Sequence, residues 1–431
     1  MMWAITAALA GFLFGFDVVV ISGADKKLQL LWNSSDAFHG AVVMGMALWG
    51  TVIGAFFGGI PTNRWGRKKT LLTIGVLYAL SAIGSALSND PYVFAFFRFM
   101  GGLGVGASTI AAPAYISEIA PAKDRGRLVS LYQFNIVLGI LVAFFSNYLL
   151  SGIGDNDWRW MLGVQAIPAI IYTLFVITIP ESPRWLISQS RVEEAKKVMK
   201  IISPDQDSEL LATQMEEDYA DAPKENIFMK KYRFPLTLAF LVAFFNQMSG
   251  INAFYYAPRI FGEAGLGEKT ALLSSIGIGV VNMVFTLVGV NLIDKVGRKK
   301  LMFIGSIGYI ISLGLVSMAF YFHWTGLAIP IFLFLFIASH AIGQGTIIWV
   351  FISEIFPNHL RASGQSFGSS THWVLAAIIP SLIPTLFSTI GPGTVFLVFT
   401  IAMVFQLLFV IFMMPETKGT TLEKLSKSLS K

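Results

Sequence analysis

An acid in the middle of an apolar run is the first residue of this sequence that suggests chemistry. Asp17 lies within Trp3–Ile21, a run long enough to cross a lipid bilayer. A carboxylate there is costly unless it is protonated, paired or in contact with water. Arg98, in another apolar stretch, is its natural partner, because a buried arginine keeps its proton and needs a carboxylate. The alternative is that the charged end of Arg98 reaches the membrane surface. We predict an Asp17–Arg98 pair that handles an ion.

Five polar side chains lie close together in a second apolar stretch, beside a glycine and a proline: Asn246, Gln247, Asn252, Tyr255 and Tyr256. Amides offer donors and an acceptor in a fixed plane, and tyrosine rings offer an apolar face with a polar tip. This combination, with few charges, suits a neutral ligand that carries many hydroxyl groups. The alternative is that these groups hold neighbouring helices together, which one or two residues would do more readily than five.

Other polar and aromatic side chains could complete such a site, namely Gln133, Asn282, Trp349, His372 and Trp373. For His372 three roles are open: ligand contact, proton carrier near neutral pH, or helix packing. The remaining histidines are interpreted as structural. The sequence has no recognisable metal-ligand cluster, no nucleophile–base pair, no phosphate-binding loop and no cysteine. We therefore expect no metal, no cofactor and no enzymatic activity.

These residues are predicted to lie on membrane helices. The chain of 431 residues is 55% hydrophobic and only 13% charged, whereas soluble proteins have about 25% charged residues. Apolar windows of about 20 residues mark membrane spans, so the composition predicts an all-α membrane protein. The twelve predicted spans are 3–24, 39–60, 70–88, 91–116, 128–151, 158–180, 234–261, 270–293, 301–322, 327–353, 364–389 and 393–414.

The formal charge of +6 lies mainly in loops and does not indicate a nucleic-acid partner. Basic residues cluster after the second, fourth and eighth spans, whereas loops 89–90, 323–326 and 390–392 contain none. Because basic loops stay in the cytoplasm, both termini are predicted to be cytoplasmic. The expected location is the inner (plasma) membrane of a cell, with the protein crossing it many times.

The sequence contains an internal repeat. Asn63–Lys69 recurs as Asp294–Lys300, and Ser117–Pro121 recurs as Ser353–Pro357, at nearly the same separation. Such a repeat predicts two parallel six-helix halves, with the substrate site between them near the middle of the membrane. The predicted boundaries are an N-terminal half at 1–180, a cytoplasmic helical linker at 181–233, a C-terminal half at 234–414 and a cytoplasmic tail at 415–431. Within the linker, 192–198 and 208–214 have the pattern of amphipathic helices.

At these motifs the chain resembles the sugar porter family of the major facilitator superfamily over essentially its whole length. The motifs that carry the resemblance are Asn63–Lys68, Ser117–Pro121, Pro180–Leu186, Gln247–Asn252, Ser353–Pro357 and Pro415–Gly419. The resemblance implies the major facilitator fold with twelve helices. It also implies a sugar site that includes Phe14, Gln133, Ile140, Gln247, Asn252, Asn282 and Trp349. Asp17 matches the proton-coupling aspartate of the symporters in this family, and Arg98 matches its arginine partner.

The chain departs from the family pattern at several of these positions. Asn246 and His372 stand where a glutamine is more usual, and Gln165 stands where one of the symporters has glutamate. The spacing between Asn252 and the tyrosines is one residue short, so which of Tyr255 and Tyr256 faces the sugar stays open.

The resulting expectation is a proton-coupled monosaccharide symporter that works by alternating access as a monomer in the lipid bilayer. Its proposed cytoplasmic gate consists of loop charges, namely Arg64, Glu118, Arg125, Lys295, Arg298, Glu354 and Arg361. A facilitative uniporter and a non-transporting sugar sensor are the alternatives. The sequence does not name the sugar, although the apolar side chain of Ile140 favours a hexose slightly.

Overall fold

The structure is a computed structural model that describes residues 2–120, 125–202, 226–357, 360–419 and 429, without the side chains of 125, 126 and 362. These residues form helices and connecting turns, and this part of the chain contains no β-strand. The predicted helix at 208–214 lies outside the described residues, as does His359. The predicted helix at 192–198 lies within the observed helix Val192–Ile202.

Helices, the longer of them apolar, account for most of the first part of the sequence. Their bounds are Met2–Val20, Asp25–Leu31, Asp36–Phe38, His39–Met44, Met46–Phe57, Gly59–Arg64, Arg67–Leu87, Pro91–Ile119, Arg125–Leu150, Asp157–Gly163 and Ala166–Thr178. The loop region that follows contains Pro183–Ser188 and Val192–Ile202. The second part comprises Lys230–Tyr232, Arg233–Met248, Ile251–Tyr256, Ala257–Glu263, Glu268–Val296, Arg298–Tyr321, Ala328–Ile342, Gln344–Glu354 and Arg361–Phe412.

The helices that could cross a membrane agree with the twelve predicted spans. In the described residues ten are long and apolar enough, or up to eleven if the pair Asp36–Met44 and Met46–Phe57, bent by 41°, is one span. The last helix, Arg361–Phe412, has 52 residues and turns at Gly391, whose φ of 79° and ψ of 152° are not helical. It therefore contains two spans, which brings the count to twelve. The predicted all-α, twelve-helix architecture is confirmed.

Two of the described spans, the seventh and the tenth, are interrupted, and such breaks commonly mark binding sites. The seventh span changes at Gly250, which has a φ of 74°, from an α-helix into the 3₁₀-helix Ile251–Tyr256. A β-carbon at Gly250 would lie 2.3 Å from the ring of Phe399, so neither the backbone angle nor the space admits another residue easily. The tenth span breaks at Gly343, between Ala328–Ile342 and Gln344–Glu354.

The described residues fall into two compact units. The first contains Met1–Val18, Met46–Ala143 and Arg159–Lys224, and the second contains Val19–Gly45, Phe144–Trp158 and Glu225–Lys431. Within the first unit, the first and fifth spans pack closely, because a β-carbon at Gly15 would lie 1.9 Å from the backbone oxygen of Ile136. Small residues at such contacts let membrane helices approach and gain van der Waals contact.

Candidate functional site

In the first unit, Asp17 and Arg98 form a buried ion pair. Asp17 is fully buried and Arg98 is 2% exposed. Arg98 Nη1 donates to Asp17 Oδ1 over 2.9 Å, and Arg98 Nη2 donates to the Asp17 backbone oxygen over 2.9 Å. Gln165 Nε2 donates to the same Oδ1 over 3.0 Å. Arg98 therefore lies in the protein interior and does not extend to the membrane surface.

The two carboxylate oxygens of Asp17 are in different surroundings. Oδ1 accepts from Arg98 and Gln165, whereas no group in the described part of the chain donates to the buried Oδ2. Arg98 Nε is likewise without an acceptor among the described residues. A buried polar atom without a partner is uncommon and calls for an explanation. Oδ2 is a position where a proton could be added without removing an existing hydrogen bond to that oxygen.

The other predicted residues of the first unit lie on two helices. Phe14 precedes Asp17 by one turn of the first span and is half-buried. Gln133 and Ile140 both lie on Arg125–Leu150, seven residues apart, which places them on one face of that helix. Gln133 is half-buried and Ile140 is buried.

In the second unit, the predicted amides lie within hydrogen-bond distance of each other. Asn252 Nδ2 donates to Gln247 Oε1 over 2.5 Å, and Gln247 Nε2 donates to Asn246 Oδ1 over 3.0 Å. Gln247 Nε2 also lies 3.0 Å from Nδ1 of His372. The break at Gly250 makes this possible, because it folds Asn252 back towards the end of the preceding helix.

Aromatic rings gather around His372. Its ring centroid lies 5.1 Å from that of Trp349 and 5.0 Å from that of Trp373, with edge-on geometry in both cases. Such arrangements are favourable for aromatic pairs, and the tryptophan faces supply apolar surface of the kind that a sugar's C–H groups contact. Asn282 accepts a 3.4 Å hydrogen bond at Oδ1 from Thr286 on its own helix and is not among these contacts.

The two tyrosines have different environments. The Tyr256 hydroxyl donates to the backbone oxygen of Pro380 over 2.9 Å and is fully buried. Tyr255 packs edge-on against Phe254 with ring centroids 4.5 Å apart. The hydrogen-bonding group of Tyr256 is thus occupied within the protein, which makes Tyr255 the better candidate for a ligand contact.

The repeated loop motifs form two equivalent charge clusters, one in each unit. In the first, Arg67 binds Glu118 with two donors, at 2.9 and 2.8 Å, and the Arg67 backbone N–H donates to Glu181 over 2.9 Å. Burial, despite hydrogen bonds from backbone amides, raises the pKa of Glu181 above its ordinary value. In the second, Arg298 binds Glu354 at 3.2 and 2.8 Å, and its backbone N–H donates to Glu416 over 2.9 Å.

Only part of each cluster was predicted from the sequence. Arg67, Glu181 and Glu416 were missed, although the repeat aligns Arg67 with Arg298. Two predicted gate residues, Arg64 and Lys295, are exposed. Arg361 is half-buried and lines a cavity with Arg298 and Glu354. The side chain of Arg125 lies outside the described part of the structure.

A buried ionic cluster in the second unit was also missed. Asp25 accepts from His39 Nε2 over 2.7 Å and from Arg259 Nε over 2.6 Å, and all three side chains are buried. Burial alone would raise the pKa of Asp25, but the His39 hydrogen bond and the Arg259 charge together lower it below its ordinary value. The sequence signal was weak, because these residues lie near the ends of separate spans and nothing in their spacing links them.

A bundle of twelve apolar helices with interrupted spans, a buried acid–base pair and a cluster of neutral amides defines a membrane carrier. The chain belongs to the family of sugar (and other) transporters, whose family profile matches residues 3–429. It is therefore a multi-pass plasma-membrane transporter and not an enzyme, as predicted.

Individual relatives resemble the chain over almost its full length. It is 36% identical to the arabinose–proton symporter of Bacillus subtilis (98% of this chain, 93% of the relative). It is also 36% identical to the glucose transport protein of Synechocystis (97% of this chain, 95% of the relative). Among solved structures, the inward-open conformation of the xylose transporter XylE from E. coli is similar, with a TM-score of 0.88, 30% identity and 99% of each chain covered.

Proposed function

We propose that this protein is a proton-coupled monosaccharide symporter that imports sugar by alternating access, with Asp17 as the proton-binding group. The observation that carries the proposal is the asymmetry of the buried Asp17 carboxylate. Oδ1 holds Arg98 and Gln165, while Oδ2 has no donor among the described residues. The similarity to an arabinose–proton symporter supports the same function.

The chemistry of the pair gives it two states. With Asp17 ionised, its charge compensates Arg98 inside a medium of low dielectric constant, where such an attraction is strong. A proton on Oδ2 removes that compensation and weakens the hold of Asp17 on Arg98. Protonation from outside thus favours the change that carries sugar inward, and release of the proton inside restores the pair and resets the carrier.

The proposed sugar ligands are neutral amides and aromatic rings. The set comprises Gln247, Asn252, Asn282, Gln133, Phe14, Ile140, Trp349, Trp373, His372 and Tyr255. Asn246 and Tyr256 support it, because their own polar groups are occupied within the protein. Amides bind hydroxyl groups directionally, and rings cover the apolar face of the sugar. The names of the relatives include arabinose, xylose and glucose, so pentoses and hexoses are both reasonable substrates. The buried, apolar Ile140 favours a hexose.

The proposal extends to orientation and to the loop clusters. Both termini face the cytoplasm, where the Arg67–Glu118 and Arg298–Glu354 clusters serve as latches that open and close during transport. The functional halves are 1–180 and 234–414, with a cytoplasmic linker at 181–233 and a tail at 415–431. The transporter works as a monomer with sugar and proton as its substrates.

Proton movement in reconstituted vesicles tests the function. Purified protein in lightly buffered vesicles is given D-glucose, D-xylose or L-arabinose while external pH is recorded. A symporter makes the external solution more alkaline when its sugar is added. Sugar equilibration without any change in pH would establish the uniporter instead, and binding without transport would establish the sensor.

A further inference from the structure

The predicted sugar amides continue into a line of buried polar groups that the sequence analysis did not identify. Asn246 Nδ2 donates to Gln344 Oε1 over 3.3 Å, and Gln344 Nε2 donates to Gln406 Oε1 over 2.6 Å. Gln406 Nε2 then donates to Ser306 Oγ over 2.8 Å. We call this line the amide relay; its members, all at most 6% exposed, are Asn252, Gln247, Asn246, Gln344, Gln406 and Ser306.

The relay has one direction. The Ser306 hydroxyl donates its only hydrogen to the backbone oxygen of Met302 over 2.8 Å, so it must act as the acceptor towards Gln406. Gln406 Nε2 also points at the sulfur of Met302, 3.9 Å away, which is an acceptor as well. Gln406 therefore presents its oxygen to Gln344. Each later amide has to follow the same order, since an amide with the reverse orientation would place two acceptors or two donors together.

The consequence of this order appears at the ligand end. Gln247 gives one N–H to Asn246 and the other to His372. Nδ1 and Nε2 of His372 lie 3.0 and 3.3 Å from Gln247 Nε2, so one of the two ring nitrogens must be an acceptor and His372 must be neutral. Gln247 Oε1 uses one lone pair for Asn252 and keeps the other. The relay thus presents a sugar with an acceptor at Gln247 Oε1.

We propose that Ser306, Gln406, Gln344 and Asn246 are positioning residues that fix the donor and acceptor polarity of the sugar-facing amides. This inference rests on the proposed sugar-transport function and deepens it. In this arrangement Asn246 orients Gln247, because both ends of its amide are engaged within the protein. In the same arrangement His372 accepts from Gln247, because a second proton on its ring would leave that N–H without an acceptor.

The chain offers a matched pair of variants. Ser306 and Ser312 lie on the same helix, are both fully buried, and both donate to a backbone oxygen four residues earlier, over 2.8 and 2.7 Å. Ser306 accepts from Gln406, whereas Ser312 contacts only its own helix in the described hydrogen bonds. Ser306→Ala removes the end of the relay, and Ser312→Ala is the control. Gln406→Met, which keeps the side-chain length, removes an amide from the middle.

The test compares binding of a sugar with binding of its fluorinated analogues. The probes are D-glucose and its singly deoxyfluorinated forms, with D-xylose and its analogues if D-xylose is the better substrate. Fluorine cannot donate a hydrogen bond, so the analogue altered at the hydroxyl facing Gln247 should bind the wild type at least about tenfold more weakly than the sugar. In Ser306→Ala and Gln406→Met the amides can reverse. The ratio of the analogue's Kd to the sugar's Kd should then fall to about two- or threefold. Ser312→Ala should keep the wild-type ratio.

The two proposals fail in different ways. Wild-type protein that neither binds nor transports any of these sugars would overturn the proposed function and the relay's role with it. Wild-type protein that transports sugar, while Ser306→Ala and Gln406→Met keep the wild-type preference for hydroxyl over fluorine, would overturn the relay's role alone. Thermal unfolding of each purified variant separates a lost preference from a lost fold. An equal change of preference in Ser312→Ala would also refute the relay.

Discussion

Replacing Asp17 by asparagine tests the central claim with minimal change of shape. The amide oxygen of the new side chain still accepts from Arg98 Nη1 and from Gln165, and Arg98 keeps its bond to the backbone oxygen of the same position. The new NH₂ group takes the place of Oδ2, which has no donor among the described residues. We therefore expect a folded protein, destabilised by less than the cost of breaking a buried ion pair outright, which is about 3 to 5 kcal/mol.

The expected loss of function has a definite size. The pair contains one protonatable carboxyl group, so the proposed mechanism moves one proton with each sugar. One charge moving through 100 mV supplies about 2.3 kcal/mol. Because a factor of ten corresponds to about 1.4 kcal/mol, this supports roughly 45-fold accumulation of the sugar. The asparagine cannot carry the proton, so accumulation in vesicles with an imposed potential should fall to about onefold, while exchange of labelled for unlabelled sugar continues.

Asp25→Asn is the matched control for this experiment. Asp25 is also a buried aspartate with an arginine partner at hydrogen-bond distance, but both of its oxygens accept from neighbouring side chains. This variant should lose stability and still accumulate sugar against the gradient. Full accumulation by Asp17→Asn would contradict proton binding at Asp17, and so would equal uncoupling by both variants.

Three further outcomes follow from individual contacts. Gln165→Glu puts a second carboxyl group about 3.0 Å from Asp17 Oδ1. Because two carboxylates so close retain a proton, the pH at which uptake is half-maximal should rise. An unchanged pH profile of uptake would contradict this. Gly250→Ala and Gly391→Ala both place an alanine at a positive φ, but only the β-carbon at position 250 meets a ring, at 2.3 Å. Uptake should be lost in Gly250→Ala and kept in Gly391→Ala. The backbone strain in Gly391→Ala should lower stability by about 1 to 3 kcal/mol. The pKa of Asp25 in the folded protein lies below its ordinary 3.8. Ionised Asp25 therefore stabilises the fold fully above about pH 4, and this stabilisation is lost as the pH falls through the folded-state pKa. The difference in Tm between wild type and Asp25→Asn should shrink over that acidic range, and a difference that persists would argue against the ionic cluster.

Much of this protein could be predicted from the sequence because the membrane imposes strong rules. A helix that crosses the hydrocarbon core of a bilayer must be long and apolar, so composition and window length are enough to predict twelve spans. Because charges within a span are rare, Asp17 and Arg98 could be identified from the sequence. The structure contains the predicted contact between them. The repeat of the Asn63–Lys69 motif likewise predicted two equivalent loops, and both form an arginine–glutamate cluster.

Other features were decided only by the tertiary structure, because they depend on which side chains from distant spans meet. Nothing in the sequence connects Ser306, Gln406 and Gln344 with Asn246, since isolated buried amides and hydroxyls also occur as local helix contacts. Their order follows from the packing of four spans and from Ser306, whose hydrogen is already used. The cluster of Asp25, His39 and Arg259 has the same origin. The hydropathy of a segment can be read from that segment alone. The direction of a hydrogen bond depends on every other group in the network, and these groups come together only in the folded chain.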